Sequence, residues 1–323
     1  MVKNITKYIL GCLVLFVSVT QEANAQDPEF TQFYANPLYL NPAFAGTHRC
    51  PRVTMNYRNQ WPALSGTFVT NSFSYDQHLD AIYGGLGLLV VSDKAGKGTL
   101  NTTRIGAMYS YQLKVNRKFS VRVGAEATYF MRSLDWTKLT FGDMIDPRRG
   151  FVYQTGDQPV GGNVNGVDIS AGILGFSESF FIGIAGHHLN TPNESVIAGN
   201  SPIPLKITGH AGAVIPLGNS RYTETATLSP NILFRQQAGF QQLNMGLYVK
   251  KENITGGVWY RNKDAFILTL GFQTDIVKFG YSYDVTISKL TNATAGSHEI
   301  SLQFNFDCKP PSRKFRVISC PSF

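Results

Sequence analysis

The sequence has 323 residues, of which only 15% are charged, while 31 Gly, 15 Tyr and 22 Phe make it rich in turn-forming and aromatic residues. This composition argues against a helical bundle or a coiled coil, because the helix formers Glu and Lys are scarce and aromatic residues favour strands. The formal net charge of +8 fits an anionic partner, and the export signal described next favours an acidic protein or a lipid surface over nucleic acid.

Residues 1–25 have the order of a secretory signal peptide. Lys3 and Lys7 precede an apolar stretch from Tyr8 to Val19, and Ala23-Asn24-Ala25 supplies the small residues of a cleavage site. We therefore expect an exported protein whose signal peptide is cleaved. Beyond this segment no apolar run approaches the roughly 20 residues that a transmembrane helix needs, so the exported chain is either soluble or crosses a membrane as strands.

A second interpretation of the same segment is a lipoprotein signal. Ile9-Leu10-Gly11-Cys12 loosely resembles a lipobox. The apolar run continues through Cys12 instead of ending there, so lipidation is the lesser alternative.

The expected mature chain starts with a segment rich in proline and aromatic residues, Gln26 to Arg49. Asn36-Pro37 and Asn41-Pro42 interrupt it, and proline disfavours pairing in a sheet. The aromatic residues are Phe30, Phe33, Tyr34, Tyr39 and Phe44. The segment is either an ordered plug or clasp that these rings pack in place, which we favour, or a frayed terminus.

Alternation of apolar and polar residues with a period of two dominates the chain from residue 50 to residue 306. Between residues 277 and 287, for example, Val, Phe, Tyr, Tyr, Val and Ile alternate with Lys, Gly, Ser, Asp and Thr. Transmembrane barrels show this pattern because one face of each strand meets lipid and the other faces the lumen. The predicted strands are 50–60, 67–78, 82–92, 99–111, 118–132, 164–175, 179–188, 204–216, 224–235, 239–250, 252–262, 264–274, 275–287 and 297–306. We therefore predict an all-β fold, a single closed antiparallel transmembrane β-barrel of about 14 strands.

The lengths of the predicted connections support a membrane barrel. The two longest, 133–163 and 189–203, fall at the same end, whereas turns such as 79–81 at the other end are short, as in outer-membrane barrels. A secreted β-sandwich, propeller or two-domain all-β protein would also alternate. Its apolar faces would pack inward and need not carry so many aromatic residues, so the membrane barrel is preferred.

Charged residues on the predicted polar face are the candidate luminal binding residues. They are Arg122, Glu126, Lys278, Asp284 and Glu299. These side chains either pair with one another and fill the interior, or they hold the Gln26 to Arg49 segment or a cargo peptide. Asp284 and Glu299 belong to consecutive strands, so we expect them close together, with basic or hydrogen-bonding partners.

No motif for catalysis, for a metal or for a nucleotide is present, and we expect a protein without enzymatic activity, cofactor or metal. The sequence has no Gly-x-Ser-x-Gly elbow, no His-Glu-x-x-His helix and no phosphate-binding loop. Strict alternation would point His187 and His188 to opposite faces, which excludes a chelating pair. An outer-membrane lipase would need a Ser and a His on one face at the lipid boundary, and no convincing pair is found.

Three cysteines remain after the signal peptide, Cys50, Cys308 and Cys320. An exported protein meets conditions that permit disulfides, and an odd number leaves one cysteine unpaired or bonded to another chain. Cys308 and Cys320 bracket a basic stretch in the tail. A bridge from Cys50 competes, because the first and last strands of a closed barrel are neighbours.

Several motifs resemble, in the same order along the chain, those of the PorP/SprF family of the type IX secretion and gliding machinery. They are Asp27–Phe33, Asn36–Gly46, Tyr57–Trp61, Asp93–Gly96, Tyr281–Asp284, Gly296–Ile300 and the closing Cys308 with Cys320–Phe323. The similarity covers the whole expected mature chain, and the ordered set is more specific than any single motif. The family pattern favours a bridge between Cys308 and Cys320 and has no place for Cys50.

The resemblance implies an outer-membrane barrel that supports secretion or surface anchoring of large adhesin-type cargo. Its implied partners are periplasmic ring proteins of the PorK/PorN kind or a large adhesin of the SprB kind, in addition to outer-membrane lipid. The expected organisation is a signal peptide (1–25), a plug or clasp (26–49), a barrel (50–306) and a periplasmic tail (307–323). A passive outer-membrane porin or solute transporter is the alternative, and an open aqueous lumen would favour it.

Overall fold

The computed structural model describes residues 27–64, 66–96, 98–116, 118–156, 161–197, 199–218, 226–287 and 295–308. The expected signal peptide and the expected tail after residue 308 lie outside these residues. No helix in the described part of the chain is long and apolar enough to cross a membrane.

Fourteen antiparallel strands form a closed barrel. Each strand pairs with its neighbours in sequence, and the first strand pairs with the last, from Arg52 opposite Asn305 to Gln60 opposite Ser297. The strands are β1 (Arg52–Gln60), β2 (Phe68–Leu79), β3 (Gly84–Ala95), β4 (Leu100–Lys114), β5 (Phe119–Leu134), β6 (Asn163–Ser177), β7 (Phe180–His187), β8 (Lys206–Ala213), β9 (Ala226–Gln237), β10 (Phe240–Lys251), β11 (Ile254–Arg261), β12 (Ala265–Gln273), β13 (Val277–Thr286) and β14 (Ser297–Asn305). The predicted fold, a closed barrel of 14 strands, is confirmed.

Shorter strands lie outside the ring. Ile145–Asp146 and Gly150–Phe151 form a two-stranded ribbon in the connection between β5 and β6. Ile215–Leu217 pairs with the first residues of β9. These elements extend the barrel at its two ends without changing the number of strands in the ring.

The two faces of the wall follow the alternation of the sequence. In β12 the side chains of Phe266, Leu268 and Leu270 are exposed on the outer surface, while Ile267 and Thr269 are buried inside. A surface of exposed apolar residues is what a bilayer covers, and a closed ring leaves no strand edge unpaired in lipid.

The ends of the barrel differ in their connections. Residues 135–162 and 188–205 join strands at what we call the long-loop end, whereas 178–179 and 252–253 are short turns at the opposite, short-turn end. The start of β1 and the end of β14 both lie at the short-turn end. In outer-membrane barrels the longer loops face the cell exterior.

A disulfide joins Cys50 to Cys308 just beyond the β1–β14 pair, with the two Cα atoms 5.4 Å apart. The expected bridge between Cys308 and Cys320 is therefore wrong, because Cys308 already has a partner. Ring closure explains the pairing: Phe306 N–H donates to Pro51 O at 3.0 Å, so the ladder continues up to the two cysteines. Cys320 lies outside the described residues.

Candidate functional site

Residues 27–49 run through the lumen from one end of the barrel to the other. Asp27 lies beside Lys206, the first residue of β8, at the long-loop end. Arg49 pairs with Asp80, which follows β2 at the short-turn end. The barrel wall therefore surrounds a segment of its own chain, which we call the plug.

The plug folds into three short helical turns, Phe33–Ala35, Pro37–Leu40 and Pro42–Phe44. Proline begins two of them, where its fixed φ suits a first helical residue and its missing N–H is not needed. Asn41 caps the third turn by accepting a hydrogen bond from Ala43 N–H at 2.9 Å. Helices this short are not stable alone, so the surrounding wall must hold them.

Aromatic contacts fix the plug against the wall. The Phe33 ring packs edge-on against Trp259 with centroids 5.1 Å apart, and Tyr34 packs in the same way against Phe181 at 5.3 Å. Leu38 is fully buried. The main apolar cluster among the described residues therefore lies in the lumen and is shared by the plug and the inward side chains of the wall.

Two glycines in the wall make room for the plug. A Cβ at Gly124 of β5 would lie 2.4 Å from Ala43 N, and one at Gly172 of β6 would lie 2.0 Å from Asn41 Oδ1. A Cβ does not approach a non-bonded heavy atom so closely, so any larger residue at these positions would displace the plug.

A buried charge cluster holds the plug near Thr31, which we call the central anchor. Glu299 accepts hydrogen bonds from the backbone N–H groups of Thr31 at 2.5 Å and Gln32 at 3.1 Å. Asp284 accepts one from the Thr31 hydroxyl at 3.0 Å. Arg58 bridges the two carboxylates, with Nη2 3.0 Å from Asp284 and Nη1 3.4 Å from Glu299.

A second set of contacts holds the plug near the short-turn end. Arg122 Nη1 and the Ser110 hydroxyl both donate to Ala45 O at 2.6 Å. Asp76 accepts from Gly46 N–H at 2.8 Å and pairs with Arg52 at 2.8 Å. The bonds to Ala45 O and Gly46 N–H go to the backbone of the plug, so they fix its position irrespective of its side chains.

The third set, the outer anchor, surrounds Asp27 at the long-loop end. The carboxylate lies 2.6 Å from Lys206 Nζ, 2.7 Å from His188 Nε2 and 3.2 Å from Arg104 Nη1. Burial alone raises the pKa of Asp27, but these positive charges outweigh burial and hold its pKa well below the ordinary value. Asp27 is therefore an ionised carboxylate that ties three parts of the wall to the start of the plug.

His188 completes the outer anchor. Its Nδ1 lies 2.7 Å from Asp168, so the ring joins two carboxylates. Burial lowers the pKa of His188, but Asp27 and the hydrogen bond to Asp168 outweigh burial and raise it. The expectation that His187 and His188 point to opposite faces is wrong: His188 follows the last residue of β7 with φ of 60°, which ends the alternation, and both rings are buried.

The structure does not bring the five candidate luminal residues into one site. Asp284 and Glu299 meet in the central anchor, while Arg122 holds the other end of the plug. Glu126 is buried beside a cavity of about 40 Å³, where it accepts from the Thr128 hydroxyl at 3.0 Å. Lys278 lines a separate cavity of about 70 Å³ with Gln32 and Tyr34.

Other residues that hold the plug are not marked by any pattern in the sequence, with one exception. The exception is Arg58, which lies within the Tyr57–Trp61 motif. Arg104, Lys206 and Arg235 belong to no motif, and the sequence shows only that they lie on the polar face of their strands. Arg235 pairs with Glu29 of the plug at 3.1 Å and lies over the Phe33 ring at 4.9 Å. Within the described ranges no three His, Cys, Asp or Glu residues are grouped as metal ligands.

Above the plug, the long-loop end opens into a cavity of about 970 Å³, which we call the vestibule. Asp27, Pro28 and Glu29 of the plug form part of its lining. Its lining also includes basic, aromatic and amide side chains, among them Arg58, Arg132, Arg261, Trp61, Phe68, Phe240, Gln60 and Asn262. The molecule thus has a filled lumen with an open chamber at one end.

Several solved structures are similar to the chain at low identity. The outer membrane protein Omp33 of Acinetobacter baumannii is 11% identical over 81% of this chain and 100% of its own, with a TM-score of 0.45. The toluene transporter TbuX of Ralstonia pickettii is 12% identical over 84% and 93%, with a TM-score of 0.48, and a Pseudomonas aeruginosa FadL homologue is 11% identical over 80% and 90%, with a TM-score of 0.41. Similarities this low say nothing about a shared function.

Comparison of the sequence with known proteins and families is more specific than comparison of the folds. No curated protein matches the chain significantly. A family model described as "Type IX secretion system membrane protein PorP/SprF" matches residues 22–304, which is most of the sequence and covers the plug and the 14 strands up to the penultimate residue of β14.

Proposed function

Because the chain belongs to the PorP/SprF family of type IX secretion system membrane proteins, we propose that it is a plugged, non-catalytic outer-membrane barrel that supports secretion or surface anchoring of large adhesin-type cargo. Its proposed partners are periplasmic ring proteins of the PorK/PorN kind or an adhesin of the SprB kind. The proposed organisation is the expected one, with a cleaved signal peptide at 1–25 and a periplasmic tail at 307–323.

The plug is the observation that supports this proposal over a passive porin. A porin needs a continuous aqueous path, whereas residues 27–49 are bonded to the wall at the central anchor, the outer anchor and near the short-turn end. Buried ion pairs and hydrogen bonds at three levels are costly to break. A filled barrel suits a protein that anchors other components.

Conductance in planar bilayers tests the proposal. We expect the purified wild-type protein to show no steady ion current, and a variant lacking residues 27–46 to show one. A steady wild-type current would favour the porin. Affinity purification from membranes then separates the two proposed roles, because ring proteins would indicate the motor and a very large adhesin would indicate cargo anchoring.

The tail is the proposed contact with the periplasmic machinery. It carries Lys309, Arg313, Lys314 and Arg316, and the bond between Cys50 and Cys308 attaches its start to the barrel. We expect deletion of residues 309–323 to leave barrel assembly intact and to reduce recovery of ring proteins. Undiminished secretion and partner recovery would remove the tail from the mechanism.

A further inference from the structure

Aromatic side chains face water in the vestibule, and the barrel itself does not need them there. Phe68 is 37% exposed and Phe240 is 41% exposed. Each lies on the inward face of its strand: Phe68 shares that face with buried Thr70 and Ser72, and Phe240 shares it with buried Gln242 and Asn244. Single exposed apolar residues are normal, but Trp61, Phe68 and Phe240 all line one cavity, and a cavity lined by several aromatic side chains is typical of a binding site.

The two phenylalanines lie on nearly opposite walls. β1, β14, β13, β12 and β11 separate β2 from β10 on one side of the ring, and the other seven strands of the ring separate them on the other side. Trp61 packs edge-on against Phe68 with centroids 5.9 Å apart, so one wall carries a pair of rings and the other carries Phe240. A ligand that touches both walls must extend across the chamber.

Amide groups and the end of the plug lie between these walls. Gln60 and Asn262 line the vestibule together with Glu29 of the plug. Amide side chains both donate and accept hydrogen bonds, which suits the alternating N–H and C=O groups of a peptide backbone. The volume of about 970 Å³ lies at the upper end of the range for ligand sites, roughly 300–1,000 Å³.

The lumen directly below already binds a polypeptide segment. Thr31 and Gln32 donate their backbone N–H groups to Glu299, and Arg235 and Arg261 reach the same region from the wall. The vestibule begins where the plug ends at Asp27, so it continues an established peptide-binding surface. Expected cleavage after Ala25 leaves one residue before Asp27, too little to fill the chamber.

We infer that the vestibule binds an extended peptide segment of a secreted partner, whose apolar side chains lodge against Trp61 and Phe68 on one wall and Phe240 on the other. The inference rests on the proposed function, and it names the chemistry of the cargo contact. Aromatic residues in such pockets carry much of the binding free energy of an interface.

Photo-cross-linking in living cells tests the inference. A benzophenone amino acid replaces Phe68 or Phe240, and the control replaces Phe73, which lies on the same strand and is similarly exposed at 38% but faces lipid. We expect adducts at both vestibule positions to contain one contiguous segment of an exported protein, and the control to lack it. Adducts with residues before Asp27, or with carbohydrate or lipid alone, would overturn the inference.

Binding of the identified segment provides the second measurement. The segment is synthesised and titrated onto the purified full-length protein, and the double variant Phe68→Ser, Phe240→Ser should bind it at least about tenfold more weakly. Phe73→Ser should bind within about twofold of wild type, with all variants first shown to assemble as heat-resistant barrels. Equal affinity in the double variant would refute the inference.

Affinity purification from the same cells distinguishes failure of this inference from failure of the proposed function. If the protein co-purifies with secretion components but neither vestibule position yields a peptide adduct, the vestibule inference alone fails. If the protein co-purifies with none of them and its loss leaves secretion intact, the proposed function fails.

Discussion

At the scale of single residues, the plug is held by charged groups that would be unfavourable in the lumen without it. Glu299 is fully buried, and it accepts two plug N–H groups and an Arg58 contact. A buried charge needs paired or hydrogen-bonding partners. The barrel wall and the plug therefore depend on each other.

Replacing Glu299 by Ala should loosen the plug at a cost of about 3 kcal/mol, because it removes one of the two carboxylates that pair with Arg58 and leaves two backbone N–H groups of the plug without their acceptor. Limited proteolysis of the region around Thr31 in the purified barrel measures the effect. Glu252→Ala, at an exposed residue in a turn, is the matched control and should leave the plug protected. Equal protection in both variants would show that the central anchor does not hold the plug.

The outer anchor should weaken at alkaline pH. The pKa of His188 is raised, so its contribution is complete below its ordinary pKa of about 6.5 and is lost as the pH rises through the raised value. The pKa of Asp27 is lowered, so its contribution is present above its unfolded-state pKa and is lost only as the pH falls through the lowered value.

Hydrogen exchange of residues 27–32, corrected for intrinsic rates, checks this expectation. Protection in the wild type should decline as the pH rises above neutrality. In His188→Asn it should be low and nearly independent of pH. His298→Asn removes a histidine that contacts Tyr281, and this control should retain the wild-type decline.

At the scale of elements, the strands could be predicted because a lipid-facing wall demands strict alternation. The alternation predicts a last strand at 297–306, for example, and β14 spans Ser297–Asn305. The turns of the plug could not be predicted, because the wall, and not local sequence preference, stabilises them. The partners of Asp27 were also hidden, since alternation shows which side chains face inward but not which segment they meet.

A substitution that closes the space left by a wall glycine should expel the plug. At Gly124 the first side-chain atom would lie 2.4 Å from Ala43 N, so Gly124→Val should give a barrel that assembles and conducts ions. Planar-bilayer recordings measure the current. The control is Gly209→Ala, where a Cβ meets nothing within 4 Å, and it should remain closed.

The lipid-facing side of β12 gives a test of membrane depth. Leu268 is 52% exposed near the middle of its strand, so Leu268→Arg should destabilise the folded barrel by about 2 to 4 kcal/mol. Ile254→Arg, at the short-turn end of β11, should cost about 0 to 1 kcal/mol. Denaturant unfolding in lipid bilayers measures the change in stability for both variants. Similar losses of stability at the two positions would show that Leu268 does not lie deeper in the bilayer than Ile254.

At the scale of the whole molecule, the pairing of the first and last strands and the disulfide both hold the barrel closed at the same place. β1 pairs with β14 along nine residues on each side, and Cys50 is bonded to Cys308 just beyond them. Cross-linking residues 258 positions apart restricts the unfolded chain strongly, and the chain-entropy model gives a stabilisation of about 5.5 kcal/mol.

Removing the bond should lower stability without opening the barrel. We expect Cys50→Ser, Cys308→Ser to assemble with the plug in place but to unfold at a lower temperature, as followed by heat-dependent mobility in gels. Reduction of the wild type should reproduce the shift, and reduction of the variant should change nothing. A variant as heat-resistant as the oxidised wild type would show that pairing of β1 with β14 suffices.

The position of the plug also sets an order of events during biogenesis. Residues 27–49 precede β1 in the chain, yet the wall that encloses them is complete only when β14, the strand farthest along the sequence, joins β1. A segment bonded at both ends of the lumen cannot thread easily into a finished ring. We therefore expect the sheet to close around the plug, and a chain stalled before β14 should leave the plug exposed to proteases.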